Sequence, residues 1–86
     1  MNICGILVHT QPQGFDAVRE RLLSVEGVEV HGMSDEGRVV VTLEEDNEDT
    51  MAESLLTIQR LEGVLSASMI YHHNEDLQAS EREKVI

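Results

Sequence analysis

The sequence has no tryptophan, one phenylalanine, one tyrosine, one cysteine and one proline, and only six Lys and Arg against 17 Asp and Glu. Each shortage argues against a class of function. With Phe15 and Tyr71 as the whole aromatic complement, a surface that stacks successive single-stranded bases is not expected. The net charge of −11 repels phosphate backbones and anionic lipid surfaces, so neither nucleic acid nor membrane is an expected partner. Cys4 stands alone and cannot close an internal disulfide. Small secreted domains ordinarily need such staples, so a reducing compartment is expected. The opening MNICGILVHT carries no basic stretch ahead of a long apolar one, and no run is long enough to cross a bilayer as a helix. A cytoplasmic location is the resulting expectation.

What is present suits one small domain. A chain of 86 residues with 41% apolar and 27% charged residues has the composition of a globular protein. At this size roughly 60–65% of the unfolded chain's surface can be buried, which leaves little room for a deep enzyme pocket.

Hydrophobic periodicity divides the chain into six elements. NICGILVHT reads as a first strand, ended by TQPQG. In GFDAVRERLLSVEG, Phe15, Val18, Leu22 and Val25 recur at helical spacing, and Gly27 closes the helix. VEVHGM alternates as a second strand, SDEG turns, and RVVVTLEE is a third. DNEDT supplies helix-start residues, with acids at the positive end of the helix dipole. Met51, Leu55 and Ile58 form the inward stripe of a second helix that Gly63 closes. VLSASMIYH is a fourth strand. The remaining residues are polar and aperiodic. The expected division is one domain over 1–73 and an acidic, mobile tail over 74–86, with a short helix around Leu77–Glu83.

The halves echo each other. LLSVEGVEVHGM resembles IQRLEGVLSASM, and Gly27 and Gly63 are 36 positions apart. Two β-α-β units joined by a hairpin predict an α+β, ferredoxin-like split β-α-β sandwich (βαββαβ). It has a four-stranded antiparallel sheet in the order 4-1-3-2 and both helices on one face. Strict alternation assigns the two faces. Cys4, Ile6, Val8, Val28, Val30, Val39, Val41, Leu43, Leu65, Ala67 and Met69 face the helices. The open face then carries Ile3, Gly5, Leu7 and His9, with Glu29, His31 and Met33, with Arg38, Val40 and Thr42, and with Val64, Ser66, Ser68, Ile70 and His72. That face is partly apolar and shallow, because Gly5, Ser66 and Ser68 carry almost no side chain. Such a trough suits a helix or peptide laid across it.

No catalytic set emerges. His9 and His72 lie at opposite ends of antiparallel neighbours, ~20 Å apart, too far to share a metal, and His72 and His73 point to opposite faces. Cys4 sits mid-strand, facing the core, where packing is its expected role. The loop TQPQG lacks the arginine of an acylphosphatase anion site and the Cys-x-x-Cys of a heavy-metal carrier. Neither metal nor cofactor is expected. The six acids at 44, 45, 46, 48, 49 and 53, with no base among them, read mainly as a solvated turn and helix start. They also offer an acidic rim where arginines can bind through charge-assisted hydrogen bonds.

CGILV, VEGVEVH and above all LEGVLSASMIYHH followed by acids resemble the NapD family over about residues 3–75. The resemblance implies a small cytoplasmic chaperone of the periplasmic nitrate reductase and no enzyme activity. Such a protein binds the twin-arginine signal peptide of the catalytic subunit NapA and delays export until cofactor loading and folding are complete. The expected peptide contacts are Gly5, Leu7, His9, Val40, Thr42, Val64, Ser66, Ser68, Ile70 and His72. Glu29, Glu44 and Glu45 are the candidates for pairing with the arginines. A monomer is expected, with a weak dimer through the edge of the second strand left open. The rival reading is a stand-alone regulatory module of the ACT type that binds an amino acid, for which TQPQG is the candidate loop.

Overall fold

The computed structural model describes residues 2–74, and for Asn74 the backbone only. The sequence expectations for a tail over 74–86 and a helix around Leu77–Glu83 lie outside the described residues, save that the fourth strand reaches Asn74. Strands β1 (Asn2–Thr10), β2 (Val28–Met33), β3 (Arg38–Glu45) and β4 (Val64–Asn74) and helices α1 (Phe15–Leu23) and α2 (Glu48–Arg60) follow one another as βαββαβ. The sheet order is β2-β3-β1-β4 and every neighbouring pair is antiparallel. This is the ferredoxin-like sandwich.

Local chemistry explains the boundaries. Pro12 opens a short 3-10 turn ahead of α1, where its fixed φ fits and its missing N–H costs nothing. Asn47 caps α2: its Oδ1 accepts from the Asp49 and Thr50 backbone N–H groups at 2.7 and 3.3 Å, relieving two donors that the first turn leaves unpaired. Gly27 and Gly63 turn the chain from helix into strand with φ of 87° and 93°. A side chain is doubly unwelcome at Gly63, because a Cβ there meets Val18 Cγ2 at 2.7 Å.

The helix side of the sheet is the core. Cys4, Ile6 and Val8 of β1, Val39, Val41 and Leu43 of β3, Val28 and Ala67 are buried against Val18 and Leu22 of α1 and Met51 and Ile58 of α2. The two halves are tied where each helix ends. Arg21 Nη1 donates to the Glu62 carbonyl at 2.8 Å, and Thr10 Oγ1 donates to the Gly63 carbonyl at 2.9 Å.

The departures from strict alternation come from bulges. β4 pairs with β1 at Gly5–Tyr71, then Ile6–Met69, then again at His9–Ser66 and Thr10–Val64. Ile70 and Leu65 are therefore extra residues, and each one shifts the face of everything beyond it. Val64 pairs with buried Thr10 and packs on the core, so it belongs to the helix side and not to the open face. Leu65, expected in the core, is 63% exposed. His72 pairs with Cys4 on the helix side, where its Nε2 donates to Asn2 Oδ1 at 3.2 Å. A third irregularity at His31 sets Met33 opposite buried Val39, again the side opposite to that expected.

Candidate functional site

The sheet face away from the helices has no covering element among the described residues, and its side chains fall into rows fixed by register. At one end Glu44, Ile3 and His73 lie side by side, followed by Glu29, Thr42, Gly5 and Tyr71. The next row is Gly32, Val40, Leu7 and Ser68, and the last is Arg38, His9 and Ser66. Leu7, His9 and Thr42 are half-buried, while Ser66 and Ser68 are exposed.

The apolar centre is Leu7 beside Val40, the latter 44% exposed in spite of its central strand. β-branched and leucine side chains here leave apolar surface in water that no packing partner removes. Ser68 flanks Leu7 on the β4 side and keeps that flank low.

Tyr71 changes the picture at Gly5. A Cβ built on Gly5 falls inside the Tyr71 ring, against Cε2, Cδ2 and Cζ. The ring therefore lies over the glycine backbone, and Gly5 is buried beneath it. The shallow floor expected at Gly5 is thus roofed by an aromatic ring, and the open part of the trough runs over Leu7, Val40, Ser66 and Ser68. Simple alternation places Tyr71 among the helix-facing residues; the bulge at Ile70 turns it over. No sequence signal marks that reversal, because it follows from how β4 pairs with β1.

The candidate acids separate in the same way. Glu29 pairs with Thr42, and Glu44 is two residues along β3 on the same face, a diagonal pair about 7–8 Å apart. Glu45 pairs with buried Asn2 on the helix side, where its Oε1 accepts from Ser54 Oγ at 3.3 Å. It does not belong to the sheet face. On that face His31 Nε2 and Thr42 Oγ1 are hydrogen-bonded at 2.7 Å, joining β2 to β3.

The structure thus brings together Gly5, Leu7, His9, Val40, Thr42, Ser66 and Ser68 of the expected contacts, and Glu29 with Glu44 of the expected acids. It separates Val64, His72 and Glu45, which lie on the opposite side. It sets Ile70, 55% exposed, in the bulge between the two faces. Cys4 is wholly buried in the core, and burial pushes its thiol pKa up from 9.0, the setting of a packing group. Among the described residues no three His, Cys, Asp or Glu side chains converge as a metal site would need, and no helix is long and apolar enough to cross a membrane.

Known proteins resemble this chain over most of its length. The chain is 22% identical over 76 residues to the chaperone NapD of Haemophilus influenzae, covering 87% of this chain and 82% of that protein. It is 26% identical over 76 residues to the chaperone NapD of Escherichia coli, covering 86% of each. The solution structure of the E. coli Tat proofreading chaperone protein NapD superposes with a TM-score of 0.76 at 24% identity, over 87% of this chain and 80% of that one. The family profile described as NapD protein matches residues 1–76, which include every described residue, and the chain therefore belongs to the NapD family.

Proposed function

We propose that this protein is a cytoplasmic chaperone that binds the twin-arginine signal peptide of NapA, the catalytic subunit of the periplasmic nitrate reductase. It does so on the open sheet face and delays export until the subunit has its cofactors and is folded. The observation that carries the reading is the uncovered Leu7–Val40 centre with Ser66 and Ser68 beside it and two acids, Glu29 and Glu44, at one margin. A signal of this kind has a basic start and an apolar stretch able to form a helix. The apolar stretch lies on Leu7 and Val40, and Ser66 and Ser68 let its backbone come close. Glu29 and Glu44 are spaced for two neighbouring guanidinium groups, each held by charge-assisted hydrogen bonds. Tyr71 joins the site as the aromatic wall beside the trough. The names of the relatives, chaperone NapD and Tat proofreading chaperone, support the same role. They weigh against the ACT-type alternative.

The test is titration of the labelled protein with the signal peptide, followed by amide shifts. Shifts are expected along β1, β3 and β4 at the open-face rows. Shifts confined to α1 and α2 refute the reading. Ser68→Trp, at an exposed position, fills the trough and is expected to weaken the peptide about tenfold, the equivalent of 1.4 kcal/mol, without unfolding the domain. Unchanged affinity in calorimetry counts against the sheet face.

A further inference from the structure

On the other side of β4 the structure has a second apolar concavity, and the sheet-face reading does not use it. It lies between α2 and β4 and encloses about 540 Å³. Met51, Leu55, Leu56 and Met69 line it, and Glu48 and His72 stand at one end. Leu56 is 48% and Met69 42% exposed, a large apolar outlay for positions that a tighter helix-on-sheet contact would cover. Gln59 Nε2 donates to the Ala67 carbonyl at 3.0 Å and ties α2 to β4 at the end away from Glu48.

We infer that this groove is a second docking site, and that its occupant is an apolar helical segment of a partner protein with a cationic end seated at Glu48. Charge selects the occupant. Among the described residues Glu48 is the one acid that lines the groove, and no Lys or Arg lines it. The nearest arginine on α2 is Arg60, twelve residues along and about 18 Å away, while Arg21 and Arg38 are held by Glu62 and Glu36. A second copy carries its own net charge of −11, which opposes its approach. The chain's own residues 75–86 bring Glu75, Asp76, Glu81 and Glu83 against Arg82 and Lys84, the wrong balance for a seat beside Glu48. A partner strand added to β4 is also disfavoured, because the bulges at Leu65 and Ile70 break it into two short runs of regular register, Ser66–Met69 and Tyr71–Asn74. A helix needs no such register, and thioether side chains such as Met51 and Met69 adapt to its surface. The groove and the sheet face lie back to back, so a client on the sheet leaves the groove free and both sites can be filled together.

The test uses the full chain carrying ¹³C-methyl methionine. Met51 and Met69 report on the groove, and Met33, at the opposite edge of the sheet, is the internal control. The probe is a synthetic peptide of two arginines followed by leucine and alanine; its counterpart has glutamates in place of the arginines. The cationic probe is expected to move the Met51 and Met69 methyls saturably and to leave Met33 in place, and the acidic probe to bind about tenfold more weakly or worse. Leu56→Arg, at an exposed helical position, weakens the cationic probe about tenfold, and Ser68→Trp leaves the Met51 and Met69 response unchanged. The inference is overturned if those methyls stay still, if Met33 moves equally, if both probes bind alike, or if Ser68→Trp abolishes the response. It is also overturned if the methyls shift on dilution without peptide, which makes the occupant a second copy. The same holds if they shift when Leu77, Val85 and Ile86 are replaced by serine, which makes it the chain's own terminus.

Discussion

Gly5→Ala tests the packing of the open face at its most unusual point. The new methyl falls inside the Tyr71 ring. Tyr71 is 48% exposed, so its ring is free to swing away, and the cost is the contact it abandons. About half of the roughly 200 Å² that a tyrosine can bury, at ~25 cal/mol per Å², is worth about 2.5 kcal/mol. Compactness of the unfolded chain lowers that by roughly 10–40%. Gly5 has no positive φ, so alanine fits its backbone and also stabilises by about 0.4–1 kcal/mol through the unfolded state. The net expectation is a loss of ~1–2 kcal/mol. Tyr71→Ala alone loses ~2 kcal/mol by the same area. In the Tyr71→Ala background the obstacle is gone, and Gly5→Ala reverses sign to a gain of about 0.4–1 kcal/mol. Urea unfolding of the four variants, followed by far-ultraviolet circular dichroism, gives the cycle. With no tryptophan in the chain, tyrosine emission reports directly on the ring. If Gly5→Ala has the same effect in both backgrounds, Tyr71 does not cover Gly5.

Other consequences are as open to measurement. Asn47→Ala leaves two N–H groups of the first turn of α2 without their acceptor and is expected to cost about 1 kcal/mol in urea unfolding, whereas Asn47→Asp costs little. Gly63→Ala forces an L side chain into a φ of 93° and against Val18; an expected loss of ~1–2 kcal/mol appears in the same assay, and a neutral result contradicts the tight approach of the two halves. The Cys4 thiol reacts with an aromatic disulfide reagent only after denaturant is added. Its pKa is raised in the folded state, so the unfolded chain ionises first and the thiol's contribution to stability is full below the free value of 9.0. It is then lost as pH rises from there toward the folded value. A thermal midpoint that Cys4→Ala shifts equally at neutral and alkaline pH refutes that linkage.

The fold is legible in the sequence because each of its signals is local and strong. Phe15, Val18 and Leu22 repeat at helical spacing, Val39, Val41 and Leu43 alternate, and the Glu-Gly-Val signature marks both helix-to-strand turns. Residues on β1 and β3, from Leu7 to Val40 and Glu44, take the faces that alternation assigns. β4 is where that reasoning gives out. A bulge is an extra residue relative to a partner strand, and nothing in Leu65 or Ile70 distinguishes it from an ordinary alternating residue; only pairing with β1 reveals it. One such residue turns Tyr71 outward and His72 inward, and another moves Val64 into the core. Glu45 illustrates a different limit. It follows Glu44 directly, and whether an acid at a strand end faces a peptide or a helix depends on which side Ser54 of α2 approaches from, a tertiary fact.

The central position of β1 has a further consequence for how the chain acquires its shape. Among the described elements β1 comes first in the chain, and its two neighbours are β3 and β4, the last of the described strands, so Asn2 finds its partner only at Asn74. During synthesis its apolar residues, Cys4, Ile6 and Val8, have no complete sheet to join until β4 has left the ribosome. Closure of so long a loop must precede the contacts that reward it, which places folding on a millisecond or slower scale despite the small size of the domain. The open sheet face, whose rows run from β2 to β4, is therefore complete only once β4 has joined β1.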